Sequence, residues 1–107
     1  MALVQVLFLD DVSANRFQLP GAGASTVKQL RASGAYGTIT EFTTPSTGLE
    51  AAELVERLAS GQDPDVVAAR NHIMPGLSRG LRPGDLVVID SVDAWVLLQS
   101  GWQRVNL

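Results

Sequence analysis

"PGDLVVIDSVDAWVLLQSGWQRVN", residues 83–106, reads as three short strands joined by two turns. Pro83-Gly84 suits the central pair of a type II turn, because proline fixes φ at the first position and glycine accepts positive φ at the second. The spacing predicts strands over Asp85–Asp90, Ala94–Gln99 and Trp102–Asn106, with turns at Asp90–Asp93 and Ser100-Gly101. Working back along the chain, Leu3–Leu9 is nearly all apolar and stops at Asp10-Asp11, the pattern of a strand buried on both faces. Tyr36–Thr43 alternates and has high β propensity. Tyr36, Thr38, Thr40 and Phe42 are expected on one side, and Gly37, Ile39 and Glu41 on the other.

The segments between these strands carry helix signals. Residues 12–24 look loop-like, with Pro20-Gly21-Ala22-Gly23 the most flexible part. Ser25 is expected to cap a short helix running to about Ser33, with Val27 and Leu30 inward and Gly34 as its stop. The strongest helix spans 48–60. Thr47 and Glu50 have capping-box spacing, Gly61 stands where a left-handed cap belongs, and Glu53 precedes Arg57 by four on the wet side. Ala51, Leu54, Val55 and Leu58 share its other face. Asp63 caps a further helix with Pro64 at its first position, ending near Arg70-Asn71.

These elements predict one α+β domain over residues 1–107, with a mixed or mainly antiparallel five-stranded sheet and two or three helices. Leu3–Leu9, Leu86–Ile89 and Ala94–Leu98 are apolar on both faces. The expectation is that helices roof one side. The other would be closed by curvature of the sheet towards a barrel, or by a partner or second subunit.

Composition narrows the function classes. With 46% hydrophobic residues among 107, the chain has enough apolar surface for a core. It has no cysteine and one histidine, which removes disulfides, thiol nucleophiles and thiolate metal sites, and all but removes structural zinc. A net charge of -3 argues against general nucleic-acid binding, which needs clustered cations. The opening MALVQVLFLDD is short for a membrane span and lacks the basic start of a signal peptide, so a soluble protein of the cytoplasm is expected.

Several motifs bear on chemistry. Gly76-Leu77-Ser78-Arg79-Gly80 matches the G-x-S-x-G of hydrolase elbows. The required strand before the serine and helix after it are missing, and the histidine precedes rather than follows. His72 is a candidate general base, with Asp85 or Asp90 to orient it and Arg79 or Arg82 to hold an anion. The simpler reading is a helix-end histidine beside a solvated arginine loop. Asp10, Asp11, Asp90 and Asp93 stand at strand ends, where carboxylates can converge on Mg2+, although acidic residues also favour turns for their own backbone bonds. Gly21-Ala22-Gly23-Ala24-Ser25-Thr26 before a helix lacks the third glycine of a dinucleotide fingerprint, the Gly-Lys-Ser/Thr of a P-loop and a hydrophobic strand directly before it. No cofactor is implied by any of these. Arg70, Asn71, His72, Arg79 and Arg82 form a local basic stretch in an acidic chain, suited to an anionic ligand or acidic partner. Trp95 and Trp102 read as core or edge anchors and, where exposed, as interface residues.

Asn71, Pro75, Arg79, Leu81, Gly84-Asp85-Leu86-Val87-Val88, Ala94 and Gly101-Trp102 give the C-terminal third a resemblance. It resembles the YodL-like domain family of small phage, plasmid and bacterial proteins. That family runs from a polar residue and a proline into Ser-hydrophobic-Ser-hydrophobic-Gly/Ser-Asp-Val-Val, then a hairpin and a Gly-Phe-like turn. Here Gly80 and Arg82 stand in place of the serines and Pro83 in place of an aliphatic residue, which counts against a serine role; residues 1–60 carry no family motif. The resemblance implies a domain of mobile elements without an established activity. The expected function is a non-enzymatic interaction module acting on a host or partner protein and able to self-associate. A metal-dependent nuclease or hydrolase using the strand-end aspartates, or weak nucleic-acid binding through residues 70–82, stands as the alternative.

Overall fold

A computed structural model describes residues 1–18, 23–77 and 79–106. Its elements are β1 (Ala2–Leu9), a 3-10 turn (Ala14–Gln18), α1 (Ala24–Ala32), β2 (Tyr36–Thr44), α2 (Gly48–Ser60), α3 (Pro64–Ile73), β3 (Leu86–Ile89), β4 (Asp93–Leu98) and β5 (Gly101–Asn106). The strands form one open, wholly antiparallel sheet in the order β2-β1-β3-β4-β5. The fold is α+β, as the patterning indicates. β3 and β4 are joined through Asp90 and Ser91, both at positive φ, with Val92 N–H donating to Ile89 O. Such a turn twists with the flanking strands.

Helices cover both faces of the sheet. On one face Val4, Val6, Phe8, Val87 and Ile89 pack against Ala51, Ala52, Val55 and Leu58 of α2, with Val66, Ala69 and Ile73 of α3 closing over them. On the other, Leu7, Leu9, Leu86, Val88, Val96 and Val105 meet Val27 and Leu30 of α1 and Phe17 of the 3-10 turn. The sheet is not closed into a barrel, and helices of the chain lie on its second face as well as its first. The segment 12–24, read as loop, contributes Phe17 as part of the roof. A nine-residue helix is about 13 Å long, enough to cross roughly three strands spaced near 4.8 Å. What stays bare on that face is polar along β2, where Thr38, Glu41 and Thr43 are exposed, and apolar at Leu3 of β1.

β2 departs from simple alternation. Val6 pairs with Thr40 and Leu7 with Thr38, so Ile39 is an extra residue, a β-bulge. The bulge reverses the side-chain parity. Phe42 packs beneath α2 and Tyr36 beneath α1, on opposite faces rather than on the shared face expected.

The helix ends divide between confirmation and correction. α1 ends in a Schellman motif: Ala35 N–H donates to Leu30 O, Gly34 N–H donates to Arg31 O, and Gly34 takes φ 80°. It starts at Gly23 rather than Ser25, with Thr26 accepting from Gly23 N–H. Asp63 caps α3 through Asp65 N–H as read, but the helix continues to Ile73. Thr47 does precede α2, yet its side chain caps no N–H, and Glu53–Arg57 is not among the described ion pairs. Gly61 is extended (φ -68°) and is not a left-handed cap. A Cβ there would collide with Val66 Cγ1, so glycine permits the close return of α3 onto the end of α2.

Candidate functional site

Among the described residues, Asp85 is the one charged side chain that is completely buried. It has four donors: Leu9 N–H at 3.1 Å, Arg82 N–H at 2.9 Å, and the Arg79 guanidinium at 2.7 and 3.1 Å. The Pro83-Gly84 turn sets it there. Gly84 takes φ 101°, and Asp85 N–H closes the turn onto Arg82 O. The guanidinium carbon of Arg79 in turn lies 3.8 Å from the centre of the Phe8 ring, a cation–π contact in a partly buried setting. A buried carboxylate needs this full set of donors, because its desolvation would otherwise oppose folding by several kcal/mol.

Neighbouring groups extend the network. Arg82 reaches back to Leu9 O and to Asp11 at 2.6 Å. The Tyr36 hydroxyl donates to Gly84 O. Burial pushes the Tyr36 pKa well above its ordinary value; the Asp85 charge raises it further and Arg31 opposes.

Beside this hub, Arg70 and Asn71 of α3, with Leu77, Arg79 and Gly80, line an open cleft of about 270 Å³. Arg70 is pinned by the C-terminal carbonyls of α2, donating to Ala59 O at 3.1 Å, Gly61 O at 3.4 Å and Leu58 O at 3.5 Å. These are the acceptors that a helix end leaves without partners, and a cation there also meets the negative end of the helix dipole.

The sequence-predicted site residues are therefore sorted by the fold. Arg70, Asn71 and Arg79 share the cleft. His72 is exposed on α3, and Asp85 is enclosed by donors from Leu9, Arg79 and Arg82, so Asp85 does not orient the histidine. Arg82 faces the β1 end of the sheet. Arg79 and Arg82 are structural ion-pair partners rather than residues of a solvated loop. The serine of the G-x-S-x-G match, at position 78, lies outside the described residues, as do residues 20–22 of the glycine-rich segment.

The four strand-end aspartates do not converge. Antiparallel pairing of β1 with β3 sets Asp10 and Asp11 at one end of the sheet and Asp90 and Asp93 at the other. Each is engaged where it stands. Asp10 accepts from Ser13 N–H and Asp90 from Leu3 N–H, while Asp93 and Asp11 hold arginines. Among the described residues no group of three or more His, Cys, Asp or Glu side chains is placed to hold a metal ion. Trp95 and Trp102 are half-buried under the α2 face, and among the described residues neither indole N–H finds an acceptor.

Two roles escaped the sequence. Arg70 as the cap of α2 left no motif, since it acts on carbonyls of another helix. Asp85 as a hub was visible only as the residue after Pro-Gly. Compared with protein-family models, curated proteins and solved structures, the chain matches none.

Proposed function

We propose that the protein is a non-enzymatic interaction module that takes an acidic segment of a partner protein into the cleft lined by Arg70, Asn71, Leu77, Arg79 and Gly80. The observation that carries this reading is the make-up of the cleft. It presents two guanidinium groups and an amide, with no carboxylate among its described lining residues, in a chain of net charge -3. Arg79 is already neutralised by Asp85, whereas the hydrogen bonds described for Arg70 go to carbonyls alone, so Arg70 retains its charge for a ligand. Guanidinium forks match carboxylates in shape as well as charge, and both are held in place before binding, which lowers the entropic cost. The resemblance to YodL-like domains supports a phage or mobile-element origin and a partner in the host cytoplasm. No helix of the described residues is long and apolar enough to cross a membrane.

The test is fluorescence anisotropy with a labelled peptide carrying paired Asp/Glu between apolar residues, beside its Asn/Gln counterpart. The acidic peptide is expected to bind more tightly, to lose affinity as salt rises, and to bind Arg70→Gln about tenfold more weakly, roughly 1.4 kcal/mol. Equal binding of the neutral peptide refutes the reading.

A further inference from the structure

Among the described residues no further strand pairs with either edge of the sheet, and the two edges, β2 and β5, differ. β2 is interrupted by the Ile39 bulge and carries Gly37 and Glu41, features that discourage pairing with another chain. β5 runs Gly101–Asn106 in unbroken register with β4 and contains neither proline nor bulge. Its outward backbone groups follow from the hairpin. Gln99-Ser100 is a two-residue loop, so Leu98 and Gly101 form the first hydrogen-bonded pair, and Leu97 with Trp102 a non-bonded pair. Leu97 fixes this parity: its N–H donates to Asp85 O and its C=O accepts from Gly84 N–H, both on the β3 side. The N–H and C=O groups of Trp102 and Arg104 therefore point into the open edge.

We infer that β5 is where two copies of this chain pair, antiparallel about a two-fold axis at Gln103, to make a ten-stranded sheet. Outward-facing residues must lie opposite one another in such a ladder, which leaves few registers. Centring on Arg104 would oppose like charges. Centring on Trp102 would overlap only the first few residues of the strand. Centring on Gln103 sets Trp102 against the partner subunit's Arg104, twice by symmetry, on the α2 face. The Nε of Arg104 is held by Asp93 at 2.7 Å, which leaves the guanidinium plane free to stack on an indole. A ladder this short buries less than the roughly 1,200 Å² of the smallest stable interfaces, so the pairing is weak and depends on concentration. It does not rest on the cleft.

Sedimentation velocity across a hundredfold concentration range tests it, and the mass is expected to rise towards a dimer. Arg104→Pro removes an outward N–H without taking a bond from the β4 ladder, and is expected to abolish association while preserving the circular dichroism. Gln103→Cys, in a chain without cysteine, places two thiols in a non-bonded pair with Cα atoms about 4.5 Å apart, within disulfide range. It is expected to cross-link much faster than Arg104→Cys. A strict monomer at the highest concentration, a dimer indifferent to Arg104→Pro, or faster linking at 104 than at 103 overturns the inference. If Arg104→Pro fails to fold, the cysteine comparison decides alone.

Discussion

Replacing Asp85 by Asn keeps the shape of the side chain and removes its charge. One oxygen of the present carboxylate accepts from Leu9 N–H and Arg79, the other from Arg82 N–H and Arg79. An asparagine offers one oxygen, and its amide then sets N–H groups against donors already in place. The Arg79 guanidinium, with only 29% of its side chain exposed, loses its counter-charge while still lying over Phe8. Breaking one half of a buried, hydrogen-bonded ion pair costs roughly 3–5 kcal/mol. The partial exposure of Arg79 places this case at the lower end, about 3 kcal/mol. For a domain of this size that corresponds to a fall in Tm of roughly 12–24 °C. Urea unfolding followed by the fluorescence of Trp95 and Trp102 reads it directly, with the slope unchanged if only the native state is weakened. Arg79→Met alone is expected to cost a similar amount, and the double variant much less than the sum, a coupling of about 1.5–3 kcal/mol. A loss under about 1 kcal/mol for Asp85→Asn, or strictly additive variants, would refute the hub as the anchor of this end of the sheet.

Two further outcomes follow from the same region. The chain has a single tyrosine, so tyrosinate absorbance reports Tyr36 alone. Its folded pKa is raised, chiefly by burial and then by Asp85, so the stability linked to it is fully present below the unfolded value near 10 and is lost as pH rises beyond it. Ionisation is expected only together with alkaline unfolding; reversible titration near pH 10 in the folded protein would contradict the placement. Gly84→Ala is expected to destabilise by about 3 kcal/mol, combining backbone strain at φ 101° with overpacking, since a Cβ would meet Leu9 Cδ2 and Phe17 Cδ2 at 2.8 Å. Calorimetry showing a change under about 0.5 kcal/mol would count against that packing.

The strands were legible because the signals for them are local. Alternation, Pro83-Gly84 and the two hairpin turns constrain neighbours within a few residues, and the strand bounds agree to about a residue or two. The roof over the α1 face was legible in part: Val27 and Leu30 read as inward-facing, whereas Phe17, an isolated apolar residue without periodicity, did not. The Ile39 bulge leaves no compositional mark either: the extra residue is β-branched and fits a strand as well as its neighbours do. Gly61 carried a true signal with the wrong cause. A glycine after a helix suggests a left-handed cap, whereas here it clears space for Val66. At the site, Asp85 could be read as the start of a strand, but its bond to Leu9 spans 76 positions and no local pattern encodes it. The basic stretch was visible as composition. Which arginines remain open to a ligand was decided by partners distant in sequence, Asp11 for Arg82 and the end of α2 for Arg70.

The functional reading is met most directly by 15N–1H correlation spectroscopy during titration with the acidic peptide. Shifts are expected to concentrate on the amides of Arg70, Asn71, Leu77 and Gly80 and on the Arg70 side chain, leaving β2 and α1 unmoved. Saturable shifts confined to any other surface, or none at peptide concentrations well above that of the protein, would contradict a cleft built to hold a carboxylate.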